Sequence, residues 1–306
     1  MSGDAVLAMP GLPALMTQAL AASGLAVRGL NEGALEEIGA LVVSGGVKLD
    51  PAFVDSLPKL KLIAVHGVGY DGVDVAHAKA RGVAVSNTPD VLTEDVADLG
   101  LALVLATLRG VPDAERFLRA GEWAKGGRSP LTRRVTGLRY GVLGLGRIGR
   151  AIAARLAPFA GEVAYHSRRP VPGVDYRYAP DARTLAASVD VLVVATPGGP
   201  ETRGLVNAEV LEALGPDGVL INIARGEVVD QPALIAALDA GRLYAAGLDV
   251  FDGEPVVPQA LLDHPRCVLT PHVGSATVEA RTQMADLVVA NLKAGLAGEP
   301  LLTPVG

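Results

Sequence analysis

The chain has 306 residues, half of them apolar, a net charge of −6 and a single cysteine. That length supports two domains with sizeable cores, and the acidic excess argues against nucleic acid or an anionic membrane as partner, since either calls for a basic face. Cys267 has neither a disulfide partner nor the companions of a zinc site, so no metal is expected and a reducing cytoplasm suits the chain.

From the amino end, residues 5–27 carry no charge. We read them as a β-α-β start, not as a signal peptide or membrane span. Asp4 stands where a basic region would be needed, and Pro10, Gly11, Pro13 and Gly24 cut the stretch into strand, turn, helix and turn. Apolar runs at 40–43, 62–65 and 84–86 alternate with helical stretches, which predicts a first parallel sheet. Asn87-Thr88-Pro89 predicts a hinge, and residues 92–120 predict a long helical region that separates this sheet from the rest of the chain.

A second series of runs, at 141–143, 163–166, 191–195, 219–222, 245–250 and 268–270, predicts a second parallel sheet. Its first turn is the most informative segment. Val142-Leu143 runs into Gly144-Leu145-Gly146-Arg147-Ile148-Gly149, after which Ile148, Ile152, Ala153 and Leu156 recur at helical spacing. In that context the first glycine permits a tight turn, the second admits a pyrophosphate to the backbone, and the third lets helix pack on strand. The helix N-terminus supplies N–H groups and the positive end of a dipole.

The next strand, 162–166, should end beside the adenosine ribose, where an acidic residue would accept from a 2′-hydroxyl. The chain instead has Ser167-Arg168-Arg169: a hydroxyl, two guanidinium forks suited to a phosphomonoester, and no repelling carboxylate. NADPH (NADP+) is the expected cofactor, with NADH a weaker substitute.

Three polar residues then follow apolar strands at their carboxyl ends, where open α/β sheets bind ligands: Arg225, Glu254 and His272. A guanidinium could hold a substrate carboxylate and polarise a carbonyl, and a carboxylate beside an imidazole favours a proton donor near neutral pH. Each residue alone has a plain structural explanation; their succession beside a dinucleotide site favours a proton donor opposite a hydride donor.

Residues 275–281 predict a second crossing and 284–296 an apolar helix returning to the first domain, with 299–304 packed as an extended tail. The expected fold is therefore α/β: two Rossmann-like or flavodoxin-like parallel-sheet domains with a cleft between them. Residues 1–91 and 282–306 form a substrate-binding domain, and 92–281 a dinucleotide-binding domain.

The glycine turn, Thr196-Pro197 with Glu201-Thr202-Arg203-Gly204-Leu205, Asn222-Ile223-Ala224-Arg225-Gly226, Gly247-Leu248-Asp249-Val250-Phe251 with Glu254-Pro255, and Pro271-His272-Val273-Gly274-Ser275 together resemble the D-2-hydroxyacid dehydrogenases. Within that family the resemblance is closest to the NADPH-linked glyoxylate, hydroxypyruvate and hydroxyphenylpyruvate reductases. It implies that Arg225 orients a small 2-oxo acid, His272 protonates its carbonyl oxygen, and Glu254 holds and charges His272. It further implies that Leu145 to Ile148 meet the pyrophosphate, Ser167 to Arg169 the 2′-phosphate, Ile223 and Ala224 the nicotinamide, and Asp249 its carboxamide.

Gly144, Gly146, Gly149, Thr196, Pro197, Thr202 and Gly274 complete the implied cofactor site. Val65 to Asp71 matches the family's substrate loop, with the N–H groups of Val68 and Gly69 cradling the carboxylate. A homodimer is implied, with Trp123 either reaching a neighbouring subunit's pocket or anchoring the interface. His66, His77, His166 and His264 are taken as structural. The expected reaction is NADPH-dependent reduction to a D-2-hydroxy acid. Other 2-oxo acids such as 2-ketogluconate, oxidation of phosphite or formate, and a nucleotide-sensing corepressor are the competing readings.

Overall fold

A computed structural model describes residues 4–32 and 35–306. The chain divides into two compact units, one running to Thr93 and resuming at Ser275–Gly306, the other Glu94–Gly274. Sequence reasoning places these divisions at 91/92 and 281/282. The first falls later because Asn87 and Thr88, expected to hinge, are tied into the first sheet: Thr88 N–H donates to Gly67 O at 2.9 Å and Asn87 Nδ2 to Val68 O at 2.8 Å. The second falls earlier because the expected crossing already contains the first turn of helix Val278–Ala297.

The first unit holds β1 (Ala5–Ala8), β2 (Val27–Gly29), β3 (Ile38–Ser44), β4 (Leu62–His66) and β5 (Ala84–Ser86) in the order β2-β1-β3-β4-β5. Every pairing is parallel. This is a flavodoxin-like order, and both faces are covered. Side chains alternate with the pleat. Val6, Ala40, Val42, Leu62 and Ala64 meet Met16 and Leu20 of one helix and Ala285, Val288 and Leu292 of helix Val278–Ala297, while Leu7, Leu41, Val43, Ile63 and Val65 fill the opposite core.

Thr277 caps the long helix by accepting from Ala280 N–H at 3.0 Å, and Gly298, at φ 76°, ends it. The tail packs as expected. The fully buried Asn291 side chain takes the N–H groups of Leu302 and Thr303, and Val305 N–H donates to Val85 O.

The second unit holds β6 (Arg139–Leu143), β7 (Glu162–His166), β8 (Arg177–Tyr178), β9 (Val191–Val194), β10 (Val219–Asn222), β11 (Ala245–Leu248) and β12 (Cys267–Leu269). Their order, β12-β11-β10-β9-β6-β7-β8, is all parallel and reverses between β6 and β9. That is the doubly wound Rossmann arrangement, and its switch point lies where the glycine turn leaves β6. The long helical region divides into Thr93–Arg109 and Val111–Arg119 because Gly110 takes a left-handed conformation, φ 55°, ahead of Pro112. Among the described residues no helix is long and apolar enough to cross a membrane.

Candidate active site at the carboxyl end of the second sheet

The glycine turn is built as its spacing demands. Gly144 has φ 99°, and a Cβ there would sit 2.8 Å from the Ala195 carbonyl oxygen and the Thr196 nitrogen. A Cβ on Gly149 would come within 1.9 Å of Gly144 O, so the helix Arg147–Leu156 can lie against the turn only through glycine. Gly146 differs from both. A Cβ there would meet nothing within 4 Å, and as N-cap it offers no side chain to the first helical N–H groups. The second glycine thus leaves open space in front of an uncapped helix N-terminus, and the buried Thr196 Oγ1 beside it has no partner among the described residues. Open space, an uncapped helix end and an orphaned hydroxyl fit a pyrophosphate.

At the end of β7, Ser167 Oγ donates to Arg169 O at 2.8 Å, which folds the three residues into a tight turn. Arg168 is almost fully exposed and lies 3.5 Å from Glu201, a residue of the loop after β9. Thr202 Oγ1 in the same loop donates to Pro197 O at 2.7 Å and holds it closed.

Arg225 leaves β10 on a loop fixed by the buried Asn222, whose side chain accepts from Ala224 N–H at 3.1 Å and donates to Arg225 O at 3.0 Å. The Arg225 guanidinium donates to Ala224 O at 2.7 Å. Gly198 gives it room, since a Cβ there would stand 2.7 Å from Arg225 Cγ. Gly226 is required by proximity, because a Cβ there would lie 1.8 Å from the Phe251 carbonyl carbon. The loops after β10 and β11 therefore touch through glycine, and that contact brings the Arg225 and Glu254 loops together.

Glu254 and His272 are directly paired, His272 Nδ1 standing 2.7 Å from Glu254 Oε2. The other carboxylate oxygen, Oε1, accepts from Phe251 N–H at 2.8 Å. Burial alone would push the Glu254 carboxyl up, but the His272 hydrogen bond, the Phe251 N–H and the charges of His272 and Arg225 outweigh it and hold the group below its ordinary range.

His272 sits at φ 52°, a left-handed conformation rare outside glycine, and its N–H donates to Asp249 O at 2.8 Å. The buried Asp249 carboxylate accepts from Thr270 Oγ1 at 2.6 Å, Val273 N–H at 2.8 Å and Gly274 N–H at 2.9 Å. Burial nevertheless leaves its pKa raised. Asp249 thus clamps the loop that carries His272, a task the sequence did not announce, and Thr270 and Asn222 are further members of the site that it left unmarked.

The residues matched by the model of the family "D-isomer specific 2-hydroxyacid dehydrogenase, NAD binding domain" are 101–274. Hydroxyphenylpyruvate reductase of Plectranthus scutellarioides is 50% identical over 88% of this chain and 86% of its own length. The chain belongs to the D-isomer specific 2-hydroxyacid dehydrogenases.

Arabidopsis thaliana glyoxylate/hydroxypyruvate reductase A, 48% identical over 88% of this chain and 85% of its own, is another member. Among solved structures of the family, the NADPH-dependent glyoxylate/hydroxypyruvate reductase of Sinorhizobium meliloti, in complex with NADP and malonate, is 45% identical. It aligns with a TM-score of 0.94 over 99% of this chain and 97% of that one.

In this 2-hydroxyacid dehydrogenase the pair of Glu254 and His272 has a consequence for stability. A carboxylate whose pKa is held low in the folded chain stabilises the fold above its unfolded value, and that contribution is lost as pH falls through the folded value. Glu254→Gln is therefore expected to flatten the acid limb of melting temperature against pH below about 4.5, the ordinary glutamate value. An unchanged limb would show that Glu254 contributes no such linkage.

The segment expected as the substrate loop, Val65 to Asp71, lies in the first unit. Gly67 and Gly45 are in close approach, a Cβ on Gly67 falling 3.2 Å from Gly45 Cα. Val68 O is held by Asn87, and among the described residues the N–H groups of Val68 and Gly69 have no internal acceptor. Of the histidines taken as structural, His77 pairs with Asp55, His166 with Ala179 O and His264 with Arg266 N–H. His66 has no such partner.

Proposed function

We propose that the chain is an NADPH-dependent reductase of small 2-oxo acids of the glyoxylate and hydroxypyruvate type, forming the D-2-hydroxy acid. The observation that carries this reading is the pairing of His272 Nδ1 with Glu254 at the carboxyl end of a Rossmann sheet. With Nδ1 committed to the carboxylate, Nε2 is the nitrogen that gives a proton to the carbonyl oxygen. Glu254 orients the ring, and Arg225 binds the substrate and offsets charge developing on oxygen. The nicotinamide, when bound, supplies the hydride.

Gly144, Leu145, Gly146, Arg147, Ile148 and Gly149 would hold the pyrophosphate, Ser167, Arg168 and Arg169 the 2′-phosphate, and Thr196, Pro197 and Thr202 the linker between the nucleotides. Ile223, Ala224, Asp249 and Gly274 would line the nicotinamide end. The free N–H groups of Val68 and Gly69 suit a carboxylate.

A homodimer is part of the same reading. Val111, Leu118, Trp123 and Leu131, at 54%, 57%, 70% and 99% exposed, supply an apolar surface for it. A reducing cytoplasm suits the unpaired Cys267, whose thiol is pushed up to about 12 by burial and stays inert. Steady-state rates with glyoxylate, hydroxypyruvate, hydroxyphenylpyruvate and 2-ketogluconate, each with NADPH and NADH, test the proposal. Turnover of the first two with NADPH is the expected result, and none with any 2-oxo acid would end it.

A further inference from the structure

His66 is the last residue of β4 and immediately precedes the substrate loop. It is 3% exposed, and neither ring nitrogen has a hydrogen-bond partner among the described residues. β4 and β5 pair with Ala64 opposite Ser86, so continuing the register brings His66 level with Thr88. Thr88 is fully buried, and its Oγ1 is likewise unpartnered. Two adjacent orphaned side chains at one sheet end are costly, since each unmet buried polar group loses hydration without replacement.

The helix covering this face adds a third polar group. Ala285, Val288 and Leu292 of Val278–Ala297 lie on Leu62 and Ala64, and Arg281, one turn before Ala285, continues that inward stripe toward the His66 end of the sheet. A guanidinium thus occupies a core-facing position in the first turn of a 20-residue helix, where the dipole is also positive. Arg281 is half-buried, and among the described residues burial alone shifts its guanidinium, with no carboxylate acting on it. Burial lowers its pKa with no anion to offset the loss, and the same burial, with the charge of Arg281, pushes the His66 imidazole down to about 4. His66 is therefore neutral at working pH and offers one donor and one acceptor beside a cation that lacks a counter-charge.

We infer that Arg281, backed by His66 and Thr88, is a specificity subsite for an oxygen-bearing group at C3 or beyond of the 2-oxo acid, the C1 carboxylate lying on the loop 67–70. Arg281, the partly exposed member, makes the contact. His66 and Thr88 are positioning residues that supply a polar floor behind it. The shared chemistry is a hydrogen-bond-accepting oxygen, either the hydroxyl of a hydroxypyruvate-like substrate or a second carboxylate. Glyoxylate has nothing beyond C2 and cannot use the site. This inference rests on the reductase reading above.

The test is the ratio of kcat/KM for hydroxypyruvate, and separately for oxaloacetate, to that for glyoxylate. In Arg281→Gln at least one ratio should fall about tenfold, carried by KM, as loss of one charge-assisted contact implies. His66→Phe and Thr88→Val should lower the same ratio by less. Both ratios unchanged in a folded Arg281→Gln protein would overturn the subsite.

Should that variant not fold, calorimetric binding to the unaltered protein decides. Malonate should bind at least about tenfold more tightly than acetate, and equal affinity overturns the inference. Absence of turnover with any 2-oxo acid defeats the reductase reading instead, and the malonate comparison then judges the anion site on its own.

Discussion

Replacing His272 should cut reductive turnover by about 10²- to 10⁴-fold, the range typical of a lost general acid, while leaving NADPH affinity nearly unchanged. His272 is held at ring and backbone. Its Nδ1 is bound to Glu254 at 2.7 Å and its backbone N–H to the Asp249 carbonyl at 2.8 Å, so Glu254 orients the ring and Asp249 places the loop before substrate arrives. The choice of replacement matters because His272 sits at φ 52°. Ala would strain that left-handed position, whereas Asn tolerates it, so His272→Asn separates lost chemistry from a displaced loop. The measurements are kcat with glyoxylate and a fluorescence titration of NADPH. A kcat within about threefold of the parent in both variants would remove His272 as proton donor.

Changing Arg168 and Arg169 together to Ala should raise the KM for NADPH by about 10²-fold and that for NADH by less than about threefold, as loss of two charge-assisted phosphate contacts implies. Arg168 is already near Glu201, at 3.5 Å, but both side chains are more than 80% exposed. Such a surface pair is worth little, so a dianionic phosphate would displace it readily. Steady-state KM values for both cofactors at fixed glyoxylate decide the matter. Equal losses would mean that the arginines act on features common to both nucleotides.

How much of this molecule could be read in its sequence depends on whether a feature is local. The strand runs 62–65, 84–86 and 219–222 were legible because a strand buried on both faces is a short apolar block bounded by turn residues. Strand β8 was not, since Arg177–Tyr178 is a two-residue edge whose pairing with β7 is its only definition. The glycine turn could be read because its three constraints fall within six residues.

The pairing of Glu254 with His272 was suggested by their succession at strand ends, but its geometry was not legible, because 18 residues separate them and two loops must meet. The clamp by Asp249 was hidden for the same reason: its partners Thr270, Val273 and Gly274 lie on another strand's loop. Arg281 left a faint signal, a charge on an otherwise apolar helical stripe, which the expected helix start at 284 obscured.

The interruption of the first unit by the whole of the second bears on how the chain is made. As the polypeptide emerges, β1 to β5 are complete before helix Val278–Ala297 has been synthesised, and the sheet face formed by Val6, Ala40, Val42, Leu62 and Ala64 has Met16 and Leu20 over it but lacks Ala285, Val288 and Leu292. The continuous unit Glu94–Gly274 has no such wait and can close while still attached to the ribosome. The amino-terminal segment is thus translated first and completed last, and during that interval its partly covered apolar face is what a nascent-chain chaperone would find.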